Sequence, residues 1–421
     1  MNITSNLKEI SQCQKLLEIE VPHHRVESKK EKIIKQYINR VKIKGFRPGK
    51  APKDLIERLY KEEIKNDLIN ELIPEIINEV FKEKKINPLN SPVVKEINYE
   101  HGKPLTFSVL FEILPDFDVE NYKGIEVEKK KVDVKNKEID NYLKSLQERF
   151  AEFVPSKRKI VEKGDYVIIE IKGKYLNENK ELSPEKLTVI AGHSSNEPVL
   201  NENLIGMKIN EEKSFIINFP NNYNDSKLAG KKVEYHIKVL SIKERKLPEV
   251  NDDFAKSVGE YNNLNELKKD IKEKIKEEKE RIQREEMVEK ILEKISKKTN
   301  FEVPKTLVDA QIMAMVRREE FNRLNEDQRK ELFAKLKPEA EKRVKHYLIL
   351  RKIAKKENIE VKEEEIEEEI KKLAEINNVP YSVMKREMEE NDRKEDLKNN
   401  LLIRKTVDFL LKEAIIKGRV Q

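Results

Sequence analysis

The residues best suited to recognising another molecule lie in an eight-residue loop in the first part of the chain. Two glycines and two prolines restrict the turns that this loop can form. Phe46 and Arg47 place an aromatic ring and a planar cation where no neighbouring helix or strand needs them for its core. An exposed phenylalanine beside an arginine is typical of a docking surface. The loop has the sequence Gly45-Phe46-Arg47-Pro48-Gly49-Lys50-Ala51-Pro52.

Basic side chains surround this loop. Residues 29–53 contain ten basic side chains and one acid, Glu31, which gives the segment a local charge of +9, whereas the whole chain carries only +7. A concentrated cationic segment suits a polyanion, because each neutralised phosphate releases condensed counterions. A solvated, lysine-rich face would have the same composition and is the commoner explanation of a charge run. The basic residues are Lys29, Lys30, Lys32, Lys35, Arg40, Lys42, Lys44, Arg47, Lys50 and Lys53.

The composition argues against several other classes of site. Cys13 is the only cysteine, which rules out an intramolecular disulfide and a cysteine-based zinc site and fits a reducing cytoplasm. The six histidines form no H-E-x-x-H pair, and the 11 glycines form neither nucleotide-binding motif, G-x-x-x-x-G-K-[ST] or G-x-G-x-x-G. We therefore expect no metal, no cofactor and no work driven by ATP. Without an apolar stretch of about 18 residues or an apolar start, we expect a cytoplasmic chain that binds no membrane.

The elements that must position the loop form an N-terminal α+β module, residues 1–115. Leu17, Ile19 and Val21 alternate as in a strand, and the alternation from Phe107 to Ile113 predicts a second strand that could pair with the first. Between them, apolar residues at helical spacing predict two amphipathic helices that flank the loop. Their apolar positions are Ile33, Ile34, Tyr37, Ile38 and Val41, then Leu55, Ile56, Leu59, Ile64, Leu68, Leu72, Ile76 and Val80.

The remaining residues predict a multidomain α+β chain. Residues 116–150 indicate a linker helix that belongs with the C-terminal part. Residues 151–246 alternate as strands separated by Asn, Gly and Pro, which predicts a small β-rich domain. From residue 247 onward the apolar spacing is helical, with helices beginning near Lys305, Glu326, Lys362, Tyr381 and Lys394. We expect an all-helical domain with long arms over residues 247–421.

The loop motif, G-F-R-x-G-K-x-P, resembles the ribosome-docking signature of the trigger factor family. The segment from Leu247 to Gly259 and the Val303-Pro304 helix start also resemble that family, and module order and length agree over the whole chain. The resemblance implies an ATP-independent chaperone that holds nascent polypeptides. Through its loop it would contact a ribosomal protein and ribosomal RNA at the exit tunnel of the large subunit. Whether the free chain forms a homodimer stays open. The docking residues would be Gly45, Phe46, Arg47, Gly49 and Lys50.

The middle domain resembles the FKBP-type prolyl isomerase module. Its landmarks are Gly164-Asp165, Phe219-Pro220, Tyr223 and Leu228-Ala229-Gly230-Lys231. Such catalysis needs no nucleophile, because an aromatic-lined pocket that favours the twisted amide lowers a barrier of about 18–20 kcal/mol.

The resemblance assigns this pocket to Phe219, Tyr223 and Tyr235. Ile171 replaces an aromatic residue of the family, and Leu200 replaces another in the turn Glu197-Pro198-Val199-Leu200. The loop that should carry a further pocket phenylalanine is unrecognisable in residues 177–186. We therefore expect weak or absent isomerase activity.

The helical domain is the expected client-binding part. Long arms with a thin core leave apolar strips uncovered, and such strips mark protein interaction sites. The segment Ile312-Met313-Ala314-Met315-Val316 contains two flexible methionines, although one face of it should belong to an ordinary core. No individual side chain is assigned to client contact.

Two alternative functions stay open from the sequence. The chain could be a soluble prolyl isomerase with an incidental basic loop, which would require turnover on a prolyl peptide. It could instead be an RNA-binding scaffold that uses the basic hairpin, which would require tight binding to naked RNA. A chaperone of the cell envelope is disfavoured, because no signal peptide is recognised.

Overall fold

The computed structural model describes residues 3–418 except 45, 48, 177–180, 221, 222, 224, 226, 391 and 392. The chain divides into two compact units. The first consists of residues 1–130 and 283–421, and the second consists of residues 131–282. Each unit is described by itself.

The first unit begins with a four-stranded antiparallel sheet. Its strands are β1 (Thr4–Glu9), β2 (Gln14–Val21), β3 (Val93–Asn98) and β4 (Leu105–Glu112). Their order is β1-β2-β4-β3, and Leu17 of β2 lies opposite Val109 of β4. The predicted pairing of the two apolar strands is confirmed. The sheet holds the helices that carry the basic loop, because its apolar side chains and theirs form one buried core.

Three helices complete this part of the unit. They are α1 (His23–Arg40), α2 (Lys53–Leu59) and α3 (Lys61–Lys84). One continuous helix was expected after the loop, and this expectation is wrong. Tyr60, with φ −117° and ψ 32°, leaves the helical conformation and separates α2 from α3. Its ring packs against Tyr37 of α1 with 5.5 Å between the centroids. The interruption between α2 and α3 therefore lies at a residue that contacts α1.

The second unit contains a five-stranded antiparallel sheet and a short helix. The elements are β6 (Glu152–Pro155), β7 (Tyr166–Tyr175), β8 (Glu181–Ile190), α5 (Pro198–Leu204), β9 (Glu212–Asn218) and β10 (Lys232–Lys246). The order is β6-β10-β7-β8, and β9 also pairs with β10. Side chains alternate between core and surface, so that Val167 and Ile169 of β7 are buried.

Part of the segment expected to be an unrecognisable loop belongs to this sheet. Residues 181–186 begin β8, where Leu182 lies opposite Gly173 and Glu185 lies opposite Ile171. Residues 177–180 lie outside the described residues. The segment Glu197-Pro198-Val199-Leu200, expected as a turn, instead starts α5, because Pro198 occupies the first helical position where its missing N–H costs nothing.

Three further helices begin or lie in the second unit. They are α4 (Asn136–Arg149), α6 (Asp252–Val258) and α7 (Leu264–Lys298), which reaches about 52 Å at 1.5 Å per residue. Leu143 of α4, Phe254 of α6 and Leu267 of α7 are buried in one small cluster. The linker helix therefore packs against the start of the long helix.

The rest of the first unit is helical. Its helices are α8 (Lys305–Met315), α9 (Arg318–Arg323), α10 (Glu326–Lys356), α11 (Glu363–Ile376), α12 (Tyr381–Glu390) and α13 (Arg393–Glu413). All five predicted helix starts are confirmed to within one residue. One short parallel pair, β5 (Glu126–Lys129) with β11 (Ile415–Gly418), was not predicted. No helix in the described ranges has the length and apolar character needed to cross a membrane.

Candidate functional site

The basic loop joins α1 to α2 and presents its polar and aromatic side chains to solvent. Phe46 is 42% exposed, and Arg47 and Lys50 are exposed beside it. Two turns shape the backbone: the Phe46 N–H donates to the Ile43 carbonyl at 3.1 Å, and the Lys50 N–H donates to the Arg47 carbonyl at 3.0 Å. Gly45, a predicted docking residue, lies outside the described residues.

Gly49 has a structural reason to be glycine. Its φ of +81° lies in the left-handed region, which strains any residue with a Cβ. A Cβ at this position would also lie 3.4 Å from Asn39 Oδ1 of α1. Gly49 therefore sets the direction in which the loop returns after Arg47.

The ten basic residues around the loop divide into two groups. Three are neutralised by carboxylates of the same unit: Lys29 by Glu71 and Glu75, Lys30 by Glu57, and Lys53 by Glu31. The other seven are exposed and form no ion pair with a carboxylate in the described part of the chain. They are Lys32, Lys35, Arg40, Lys42, Lys44, Arg47 and Lys50.

Among the ten cations, Lys30 is the one that least fits a solvated, lysine-rich face. It is only 7% exposed, and its ammonium donates to the Glu57 carboxylate. This hydrogen bond holds the pKa of Glu57 below its usual value. Lys30 therefore ties α1 to α2, and the seven cations listed above are the ones available to a polyanion.

The second candidate site is a cavity of about 440 Å³ in the β-rich domain. Its walls combine aromatic and aliphatic side chains from β7, β8, α5, β9 and β10 with two carboxylates. The lining residues are Ile171, Gly173, Leu182, Ser183, Glu185, Leu187, Glu197, Leu200, Phe215, Ile217, Phe219, Tyr223, Leu228 and Tyr235.

The structure brings the three predicted pocket aromatics together. Phe219 lies 4.7 Å from Tyr223 and 6.5 Å from Tyr235, measured between ring centroids. Sequence reasoning missed a fourth aromatic residue, Phe215, whose ring lies 6.2 Å from that of Tyr235. The signal was present, because Phe215 and Ile217 of β9 alternate with Phe219, one residue past the strand, and all three are buried.

The two tyrosines experience different surroundings. The Tyr223 hydroxyl donates to Glu197 Oε1 at 2.8 Å, and this hydrogen bond raises the pKa of Tyr223. Burial raises the pKa of Tyr235 to about 12. A Cβ on Gly173 would lie 3.0 Å from the Tyr235 ring, so glycine leaves the space that this ring occupies.

The two positions that lack a family aromatic also line the cavity. Ile171 of β7 and Leu200 of α5 are half-buried there. The cavity is thus apolar, as prolyl binding requires, but it has fewer aromatic walls than the resemblance implies. Among the described residues, no group of three His, Cys, Asp or Glu side chains is arranged to hold a metal ion.

Comparisons with protein families match three segments of the chain. Residues 1–146 match bacterial trigger factor protein, and residues 263–412 match the C-terminus of bacterial trigger factor protein. Residues 157–240 match FKBP-type peptidyl-prolyl cis-trans isomerase. The sheet and the cavity described above lie within this last match.

Individual relatives agree over nearly the full length. Trigger factor of Natranaerobius thermophilus is 34% identical over 98% of this chain and 96% of the relative, and that of Caldicellulosiruptor bescii is 34% identical over 95% and 94%.

A solved structure of the trigger factor chaperone, reported for promiscuous substrate recognition in folding and assembly, shares the fold. Its TM-score is 0.51 at 24% identity, and the match covers 97% of this chain and 99% of that one. With the family matches and full-length relatives, these findings show that the chain belongs to the trigger factor family of chaperones and contains an FKBP-type prolyl isomerase domain.

Proposed function

We propose that this chaperone docks at the exit tunnel of the large ribosomal subunit and holds nascent polypeptides there without ATP. Docking is assigned to Gly45, Phe46, Arg47, Gly49 and Lys50. The observation that carries this assignment is an exposed Phe–Arg pair at the tip of a hairpin whose seven outer cations have no carboxylate partner among the described residues. Such a chain acts in the cytoplasm, partly on ribosomes.

The two kinds of side chain would act differently at the docking site. Arg47, Lys50 and the neighbouring lysines neutralise phosphates of ribosomal RNA, which supplies affinity that depends on salt. Phe46 supplies an apolar anchor for a ribosomal protein, and exposed aromatic and arginine residues are the types that dominate protein interfaces. Gly49 fixes the turn that presents both.

Client binding is assigned to the helical domain, residues 116–150 with 247–421. The docking module is residues 1–115, and the isomerase domain is residues 151–246. Ile376 at the end of α11 is 80% exposed, and Val383 of α12 is exposed nearby in the sequence. In α8, Met313 is exposed whereas Ile312 is buried, so the methionine segment has one free face. Exposed apolar side chains of this kind support contact with unfolded polypeptides.

The isomerase domain is assigned weak or absent turnover. Its cavity retains Phe219, Tyr223 and Tyr235, but the aliphatic residues Ile171 and Leu200 stand at two positions where the family has aromatic side chains. Aromatic contacts that act mainly on the transition state contribute to rate, so losing them lowers turnover without unfolding the domain.

Sedimentation tests the docking proposal against its alternatives. The full chain is mixed with isolated large subunits, isolated small subunits or naked ribosomal RNA and then centrifuged. We expect one chain per large subunit, with affinity falling by up to about a thousandfold between about 50 and about 200 mM salt if all seven cations contact phosphates. Equal binding to naked RNA would favour the RNA-binding scaffold, and no pelleting with efficient prolyl turnover would favour a soluble isomerase.

A further inference from the structure

The apolar cavity of the isomerase domain has an acidic rim. Glu185 and Glu197 line it, and none of the lining residues that the structure describes is a lysine or an arginine. The neighbouring Lys231 places its ammonium over the Tyr175 ring, 4.7 Å from the centroid, and does not line the cavity. The charged side chains that line the described part of the cavity are therefore both carboxylates.

Glu197 lies where its charge acts on a bound segment. It immediately precedes α5, and Leu200, one turn later, forms part of the cavity wall. The Glu197 carboxylate lies directly beside the aromatic side chains, because its Oε1 accepts the Tyr223 hydroxyl at 2.8 Å, and this hydrogen bond raises the pKa of Tyr223.

The hydrogen bond between Tyr223 and Glu197 also decides which polar groups the rim offers. A tyrosine has one O–H donor, and that of Tyr223 is directed to Glu197 Oε1 at 2.8 Å. The second carboxylate oxygen of Glu197 and the lone pairs of the Tyr223 oxygen remain as acceptors. A ligand that brings donors and positive charge to this edge meets complementary groups, whereas a carboxylate is repelled.

We propose that Glu197 is a specificity-determining residue, through which the cavity favours prolyl segments with lysine or arginine next to the proline over neutral or acidic neighbours. The inference rests on the proposed function only in that the cavity must bind prolyl segments. It does not require rapid turnover, because charge selection acts on binding. The expected preference is about two- to fivefold, since the rim is partly solvated and such ion pairs are weak.

Binding of three matched peptides to the full chain tests this proposal. The fluorescent probes differ only in the residue before proline, which is lysine, norleucine or glutamate, and their affinities are measured by polarisation at low and high salt. We expect the order lysine, norleucine, glutamate, with the differences shrinking at high salt.

Two variants localise the effect. Glu197→Gln keeps an acceptor for the Tyr223 hydroxyl but removes the charge, so it should reduce the preference for lysine over norleucine at least about twofold while norleucine binding is retained. Glu202→Gln changes an exposed glutamate of α5 that does not line the cavity, and it should leave the preference unchanged.

Different failures have different meanings. Equal affinity for all three probes, or an unchanged preference in Glu197→Gln, would overturn the charge selection and leave the prolyl-binding assignment intact. Absence of binding by every probe would overturn the prolyl-binding assignment and the charge selection with it. A thermal unfolding curve for Glu197→Gln that matches the original chain ensures that the affinities refer to folded protein.

Discussion

Phe46 and Phe219 are the same residue type in opposite surroundings. Phe46 is 42% exposed on a cationic loop, whereas Phe219 is 6% exposed among tyrosines. Exposing a phenylalanine forgoes about 1.5–3 kcal/mol of burial free energy, so an exposed one beside an arginine suits a surface that is covered by a partner. A buried one lining a cavity suits a ligand pocket. Exposure thus separates the two assignments where residue type does not.

Turnover on a short prolyl peptide tests the assignment of the aromatic cavity. We expect activity about tenfold or more below that of an intact FKBP domain, because Ile171 and Leu200 replace two aromatic contacts. Tyr223→Ala should lower any residual turnover further, whereas Tyr142→Ala, at an exposed tyrosine of α4, should not. A protease-coupled assay measures both. Turnover equal to that of an intact FKBP domain, lost in Tyr223→Ala, would show that the substitutions do not impair the site.

At the scale of elements, α7 and α10 contact each other through a polar seam formed by Glu289, Glu293, Lys342 and His346. Lys342 of α10 bonds Glu293 of α7 at 2.8 Å, and one turn later His346 is 7% exposed, with Nδ1 3.7 Å from Glu289 Oε2. Burial lowers the pKa of His346 below its usual value of 6.5. Its Nε2 is buried without a hydrogen-bond partner among the described residues.

This seam predicts how stability depends on pH. Because the pKa of His346 is lower in the folded chain, its neutral form is favoured by folding. The contribution is therefore fully present above pH 6.5 and is lost as the pH falls through 6.5 and then through the folded value. His346→Leu should flatten the fall in melting temperature between about pH 7.5 and about pH 5.5. His24→Leu, at an exposed histidine of α1, should not. Identical slopes for both variants would contradict this account.

Local signals predicted most elements because each depends on neighbours in sequence. Apolar alternation gave β2, β4 and β7, and helical spacing gave the starts of α8 to α13 apart from the short α9. The failures involve contacts between distant residues. The continuous helix predicted after the loop is interrupted at Tyr60, whose ring contacts Tyr37 of α1, and not at Pro74, which lies inside α3. The β5–β11 pair joins residues on opposite sides of the second unit's sequence, and no local pattern encodes it.

The candidate sites were predictable to different degrees. The docking loop and the three pocket aromatics could be predicted because each lies at a position where the sequence resembles a family motif. The ion pair of buried Lys30 with Glu57 and the Tyr223–Glu197 hydrogen bond could not, since both depend on how separate elements pack. Burial and ion pairing decide which of ten similar cations stay free, and only the folded chain contains that information.

For the whole molecule, charge is concentrated where a polyanion would bind. The net charge is +7 although residues 29–53 alone contribute +9. Docking and client holding are assigned to different groups of residues, so they should be separable by mutation. Phe46→Ala with Arg47→Ala should therefore leave nucleotide-independent suppression of client aggregation intact, which also reports that this variant is folded.

The most direct test of the docking claim is the affinity of this double variant for large ribosomal subunits. Arg149→Ala with Phe150→Ala is the matched control, because it removes another adjacent arginine and exposed phenylalanine outside the loop. Removing two interface anchors should weaken binding at least about thirtyfold, whereas the control should bind like the original chain. Unchanged binding of the loop variant, or equal loss in both variants, would contradict docking through Phe46 and Arg47.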